Sequence, residues 1–207
     1  MLDAAKSNAD TWERIHQERD WGKYPDLNLV RFVARRMLFG TRKRILEIGC
    51  GTGANLWMLA REGFKAVGVD ISPTAIKKAI VHLGRDRLYA DVQVGDVCDL
   101  AKLYPPCSFD AIVDVGTLMH LTQGQAESVV AQSLDLLKPD GWFFSSECVA
   151  DDCWKGPVED RGYVHFYSRA EIETLYSGFY AYSIEKTTRT YDHGEHVYSR
   201  WIVEATK

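Results

Sequence analysis

Ile45-Leu46-Glu47-Ile48-Gly49-Cys50-Gly51-Thr52-Gly53-Ala54-Asn55 is the most informative stretch of the chain. A short, nearly continuous apolar run, Arg44–Ile48, ends in three alternating glycines, and helical spacing begins near Ala54. A run of that length suits a strand buried on both faces of a parallel sheet. Glycines at its end permit a tight turn and close approach of a ligand, and the helix that follows offers unpaired N–H groups. Phe64–Val69 repeats the buried-strand pattern and brings Asp70 to its end, 21 residues after Gly49. A carboxylate there can accept both hydroxyl hydrogens of a ribose. Gly49-x-Gly51-x-x-Ala54 also fits a dinucleotide-binding loop, so the loop alone leaves the nucleotide open.

Outward from this loop, strand and helix signals alternate. Ala54–Arg61, Pro73–Leu83 and Gln125–Leu137 have helical spacing, with Ser72 placed to cap and Pro73 in a first-turn position. Leu88–Val94, Asp110–Val115 and Gly141–Ser146 are further strand candidates. Asp151–Val164 reads as a loop and Ser168–Gly178 as a helix. Phe179–Arg189 and Val197–Ala205 then alternate apolar and polar residues around Asp192-His193-Gly194-Glu195, a hairpin pattern. The order predicts a doubly wound α/β fold with a mostly parallel seven-stranded sheet and an antiparallel C-terminal hairpin. Before it, Asp10–Arg19 and Leu27–Phe39 read as helices joined by Trp21-Gly22-Lys23-Tyr24-Pro25. We expect one domain over residues 1–207, with a helical arm or lid at 1–41 and a core at 42–207.

Composition narrows the class. With 46% apolar and 12% aromatic residues, the chain has enough apolar surface to offset chain entropy, which excludes disorder as its main state. Its longest apolar runs fall far short of the roughly 20 residues that cross a bilayer. No hydrophobic leader precedes Asp10, and five scattered cysteines form no CxxC pair, which favours the reducing cytoplasm. Twenty-five basic against 29 acidic residues give a net charge of −4, so no large nucleic-acid surface is expected. Nothing in the sequence fixes an oligomeric state.

Three more features distinguish between nucleotides. Glu47 stands two residues before the first glycine, Gly95-Asp96-Val97 follows the third strand, and Leu137-Lys138-Pro139-Asp140-Gly141 leads into the fifth. In this order, from roughly Arg44 to Ala205, the set resembles the class I, Rossmann-like methyltransferases that use S-adenosylmethionine. The resemblance implies that cofactor and assigns roles. Gly49, Gly51 and Gly53 would line its methionine part, while Glu47 would hold the loop and the amino end. Asp70 would bind the ribose and Ile71 would pack on the adenine. Asp96 would accept from the adenine amino group beside Val97, and Asp114 joins the cofactor set. Asp96 also reads as a plain helix cap.

Methyl transfer is an in-line displacement, so positioning supplies much of the rate, and a base is needed only when the acceptor starts protonated. The fourth strand continues through Gly116-Thr117-Leu118-Met119-His120-Leu121, and His120 matches a histidine found in many family members. It is either the general base or a structural anchor. Val115 stands where an asparagine is common, which argues against the familiar amine-type pocket. Glu147, ending the fifth strand, is the second catalytic candidate. Two aromatic groups are candidates for an acceptor pocket or for core under the arm: Trp12, Trp21 and Tyr24, and Tyr163-Val164-His165-Phe166-Tyr167. Of these, Trp21, Tyr24, Tyr163, His165 and Tyr167 are the expected substrate contacts. Arg31, Arg35, Arg36, Arg42, Lys43 and Arg44 form either a solvated face or an anion-binding patch. His193 and His196 lack a third ligand at metal spacing, so no metal is expected. Tyr182-x-x-x-Lys186 lies on a strand, where it cannot act as a dehydrogenase pair.

These readings converge on a cytoplasmic enzyme that methylates a small polar molecule, a sugar or nucleotide-sugar hydroxyl first. The alternatives are N-methylation of a small amine, and a non-catalytic module that binds or senses the cofactor. No membrane partner is expected.

Overall fold

Neighbouring residues on each central strand enter two different apolar layers, which is why those strands read as unbroken apolar runs. Leu46, Ile48, Ile112 and Phe143 pack into one layer, and Ile45, Ala111, Val113 and Phe144 into the other. In this computed structural model the described residues are 4–19, 22–148, 162–191, 193 and 196–207. Trp21 and most of the predicted 151–164 loop lie outside them.

The strands are β1 (Arg44–Ile48), β2 (Lys65–Asp70), β3 (Asp91–Val94), β4 (Phe109–Val115), β5 (Leu137–Cys148), β6 (Ala181–Tyr191) and β7 (His196–Thr206). They form one seven-stranded sheet in the order β3-β2-β1-β4-β5-β7-β6. β1 pairs in parallel with β2 and β4, β2 with β3, and β4 with β5. β7 is antiparallel to both β5 and β6, giving the expected C-terminal hairpin. The strand order reverses between β1 and β4, the topological switch point at which open α/β sheets bind ligands.

The helices are α1 (Ala4–Glu18), α2 (Leu27–Arg36), α3 (Ala54–Arg61), α4 (Pro73–Arg85), α5 (Leu100–Leu103), α6 (Gln123–Leu136) and α7 (Arg169–Leu175). Leu29, Phe32 and Val33 of α2, Leu56 and Leu59 of α3 and Ile76 of α4 cover one face of the sheet. Val129 and Val130 of α6 and Ile172 of α7 cover the other. Ser72 caps α4 by accepting from the Ala75 amide, as the Ser72-Pro73 pattern predicted.

Several boundaries differ from the sequence reading; α1, for one, begins at Ala4, six residues before the predicted Asp10. The predicted strand from Leu88 begins only at Asp91, because the Leu88 amide donates to the Leu83 carbonyl and closes the end of α4. The fifth strand begins early, with Leu137 paired to Phe109; a register shift lets Trp142 resume opposite Ala111. α2 stops at Arg36, where Met37 turns extended. The basic cluster is neither wholly solvated nor wholly open to a ligand. Arg35 and Arg36 both donate to Glu204, which is buried on β7, and Arg44 lies 4.5 Å above the Phe109 ring. Two of its six cations therefore pin α2 to the far strand.

Candidate active site

The C-terminal ends of the parallel strands meet in a cavity of about 180 Å³. It crosses the sheet edge from Asp96 and Val97 after β3, past Asp70 and Ile71 after β2 and Gly49 and Gly51 after β1. It continues past Val115–Thr117 after β4 to Tyr198 and Arg200 on β7. α1 covers it with Asn8, Trp12 and His16, three residues at four-residue spacing and therefore on one helix face.

The glycine loop is held by contacts on both sides. Gly49 has φ +65°, and a Cβ on it would fall 2.0 Å from Thr117 Oγ1, which itself donates to the Ile48 carbonyl. Gly51, with φ +50°, donates its amide to Asp70 Oδ2 at 2.8 Å and lines the cavity. Gly53 opens α3, and a Cβ there would meet Ala79 Cβ at 3.0 Å, so its position serves helix packing outside the cavity lining.

Asp70 accepts from Gly51 through one oxygen and from the Ser72 amide, 2.9 Å away, through the other. Burial raises its carboxyl above the ordinary range, opposed by those two amides and by His16. Asp96 fulfils both of its readings, since it caps the following turn by accepting from Cys98 N and also lines the cavity. Asp114 departs from the cofactor set. It is fully buried, accepts from Thr117 N and Leu118 N through one oxygen and from Ser145 Oγ through the other, and fixes the turn after β4. Glu47 is likewise buried behind the loop. Asn55 donates to its Oε1 at 2.6 Å, while Oε2 has no partner. Burial pushes this carboxyl up to about 8 against the Asn55 hydrogen bond, with Asp70, Asp114 and Asp26 adding to the rise. Asn55 in turn accepts the Asp26 amide, so Glu47 is tied through it to the start of α2.

His120, in the short turn after β4, is buried against the cavity. Its Nδ1 lies 2.9 Å from the Tyr163 carbonyl oxygen. A carbonyl only accepts, so Nδ1 carries the proton and, in the neutral ring, Nε2 carries the lone pair. Asn8 Nδ2 donates to the His120 carbonyl, and Trp12 packs edge-on against the imidazole with centroids 4.8 Å apart.

Of the expected aromatic contacts, the four described ones, Tyr24, Tyr163, His165 and Tyr167, do not line this cavity. Tyr24 is 77% exposed on the linker before α2. Tyr167 is buried, with its hydroxyl on the Leu118 carbonyl and its own carbonyl accepting from Trp201 Nε1. His165 pairs with Glu171, while its amide donates to the Met119 carbonyl at 2.7 Å. Tyr163 is exposed and contributes its backbone carbonyl. The 163–167 segment thus straps the 118–120 turn instead of walling the pocket. The Glu147 backbone pairs with Trp201 at the cavity end of β5, and its side chain lies outside the described residues.

Residues 45–141 match a family model described as a methyltransferase domain. The matched stretch is 97 of the 207 residues, and on that match it is a methyltransferase domain. Within curated sequences the chain is similar to the ubiquinone biosynthesis O-methyltransferases of Xanthomonas campestris pv. campestris, 34% identical over 122 residues. That match covers 58% of this chain and 49% of the relative. The Nitrosococcus oceani enzyme of the same name is 34% identical over 131 residues, 63% of this chain and 54% of that one. The chain therefore spans about half the length of these relatives.

The fold is that of magnesium protoporphyrin IX methyltransferase from Synechocystis PCC 6803, a structure with bound S-adenosylmethionine. TM-score is 0.73 and identity 17%, covering all of this chain and 98% of that one. The Haemonchus contortus phosphoethanolamine N-methyltransferase 2 structure gives TM-score 0.72 at 16% identity, over all of this chain and 60% of that one.

The cavity presents carboxylate acceptors and apolar side chains, a set that fits an adenosyl group. Each Asp70 oxygen accepts one backbone amide and retains a second lone pair, and the residue lines the cavity. Ile71 and Val97 form an apolar slot beside Asp96. Sequence reasoning missed Asn8, His16, Tyr198 and Arg200. The first two shared a helix face with Trp12, and the last two a strand face two residues apart, but neither pattern points to a cleft on its own. Among the described residues no group of three potential ligands could hold a metal, and no helix is long and apolar enough to cross a membrane.

Proposed function

We propose that the protein is an O-methyltransferase acting on a small molecule with a flat or apolar body and one polar or anionic group. The observation that carries this reading is one cavity lined both by Gly49, Gly51, Asp70 and Asp96, the end we assign to the adenosyl group, and by His120, Val115, Met119, Leu121, Tyr198 and Arg200. When bound, S-adenosylmethionine supplies an electrophilic methyl group on sulfur, taken up by an acceptor oxygen in an in-line displacement. Asp70 would hold the ribose hydroxyls, Asp96 the adenine amino group, and Ile71 and Val97 the faces of the base. Gly49 and Gly51 leave room for the amino-acid part. His120 would take the acceptor's proton at Nε2, its ring being aimed by the Tyr163 carbonyl.

Arg200 is oriented by Asp26 and Ser146, both at 3.2 Å, and by the Tyr198 hydroxyl at 2.9 Å. Its charge suits a carboxylate or phosphate on the acceptor and opposes an ammonium. That sign supports oxygen over nitrogen as the methylated atom, as does the name of the 34%-identical relatives. The largely apolar lining favours a hydroxylated ring, such as a ubiquinone precursor, over a sugar, whose many hydroxyls would need more polar partners. We take residues 1–207 to act as one unit, with the arm over residues 1–41 serving as its lid.

Thermal unfolding with S-adenosylmethionine, S-adenosylhomocysteine, NAD and NADP added separately tests the cofactor, since a ligand specific to the native state raises the midpoint. A rise with the two adenosyl compounds is expected. A rise with only a nicotinamide compound overturns the reading. Transfer of labelled methyl groups to hydroxylated benzoates, sugar phosphates and amines then tests the acceptor. Labelling of amines alone would refute O-methylation.

A further inference from the structure

Among the described residues, His16 is the cavity-lining side chain with a buried nitrogen that has no hydrogen-bond partner. It is 2% exposed, and its Nδ1 has no hydrogen-bond partner. Buried polar groups without partners are rare because each forfeits its hydration, so such an atom on a side chain that lines a cavity marks a missing partner. The ring stands over the glycine loop, with Cε1 3.8 Å from where a Gly51 Cβ would be, and the Asp70 carboxylate acts on it electrostatically. Burial lowers its pKa, opposed by Asp70, so the imidazole is neutral and offers one N–H donor.

The arm that carries it is clamped to the core at the same place. Glu13, one helical turn earlier, accepts from Ser72 Oγ at 2.6 Å, Thr74 Oγ1 at 2.6 Å and the Thr74 amide at 3.1 Å. Those donors begin α4, directly after Asp70 and Ile71. The clamp sets His16 beside the ribose-binding carboxylate instead of leaving it on a mobile helix face.

We propose that His16 is a cofactor-binding residue, donating its Nδ1–H to a cofactor oxygen beside Asp70 and Gly51. The cofactor thereby becomes the contact that joins α1 to the glycine loop. This rests on the S-adenosylmethionine reading above. Two oxygen sources share this chemistry, a ribose hydroxyl and the amino-acid carboxylate, and both are acceptors for a neutral imidazole N–H.

Calorimetric binding of S-adenosylhomocysteine and of 5′-methylthioadenosine, which lacks the amino-acid carboxylate, to wild type, His16→Leu and His16→Asn tests it. Leu keeps the volume without the donor, and Asn returns a donor near the Nδ1 position. His16→Leu should bind S-adenosylhomocysteine about tenfold more weakly. Its melting temperature without ligand should be unchanged or higher, since the unsatisfied atom is gone. His16→Asn should recover part of the affinity. An equal loss with both ligands assigns the contact to the ribose, and a loss confined to S-adenosylhomocysteine assigns it to the carboxylate. Unchanged affinity of His16→Leu for both overturns the proposal, as does a melting temperature that falls together with affinity. Failure of wild type to bind either ligand refutes the cofactor reading itself, a different result from a silent His16→Leu.

Discussion

The two ends of the cavity are held in opposite ways. At the adenosyl end, carboxylates accept from amides close by in the chain, Asp70 from Ser72 N and Asp96 from Cys98 N, with Gly51 N, 19 residues off, as the second amide on Asp70. At the acceptor end, no functional side chain is fixed by its own neighbourhood alone. His120 depends on the Tyr163 carbonyl, 43 residues away, and Arg200 depends on Asp26, 174 residues away. A locally fixed site keeps its geometry when the rest of the cleft changes. A site gathered from distant segments can be altered one segment at a time. The acceptor end can therefore vary in specificity while the cofactor end stays the same, a division that suits function carried on loops over a rigid sheet.

The contact that should break both ends together is Gly49 against Thr117. Gly49→Val places a branched side chain at φ +65° and into Thr117 Oγ1. Left-handed strain and overpacking together should cost about 3–5 kcal/mol, read as a melting temperature lower by about 10 °C or more. A variant melting like wild type would show that the loop and turn are not coupled.

At the adenosyl end alone, Asp70→Asn keeps an oxygen for one backbone amide but loses the charge. Affinity for S-adenosylhomocysteine should fall by about two orders of magnitude, with far-ultraviolet dichroism unchanged. Equal affinity would remove Asp70 from the ribose site.

The acceptor end sharpens the comparison. His120→Asn should lower kcat about a hundredfold while S-adenosylhomocysteine affinity stays within about threefold. Equal turnover would reduce His120 to a strap for the turn, and a parallel loss of cofactor affinity would mean that the two ends are not separable.

A separate effect concerns Glu47, which ties the loop to α2 through Asn55. Its carboxyl is raised from 4.5 to about 8 in the folded protein, so the native state holds a proton that the unfolded state releases. Its stabilisation is complete below the unfolded value and is lost as pH rises toward and through about 8. Denaturant midpoints of wild type should fall over that window, and Glu47→Gln should flatten the slope. An identical slope in the variant would place the titration elsewhere.

Legibility followed the same division. The strand, glycine loop and helix over 44–61 are readable because apolar run, glycines and helical spacing adjoin in the chain. Asp70 at the cavity end of β2 was readable for the same reason. Asp114 misled because a carboxylate near the end of a central strand has the same sequence signature whether it faces a ligand or, as here, satisfies the amides of its own turn. The 163–167 aromatics misled because an aromatic cluster marks burial without saying which wall it builds. Tyr167 fills the core, and Tyr163 and His165 act through backbone groups that composition does not reveal.

By itself, then, the sequence determined the doubly wound sheet, its antiparallel end, and a carboxylate-bearing cleft at the switch point. Period, glycine placement and capping are properties of short segments, and physics acts on them locally. Only the tertiary structure placed Asn8, Trp12 and His16 of α1 opposite Tyr198 and Arg200 of β7. That convergence depends on how α1 docks on α4 and on β7 running antiparallel back to the cavity edge. Packing of the whole sheet decides both, and no pattern within either segment carries it.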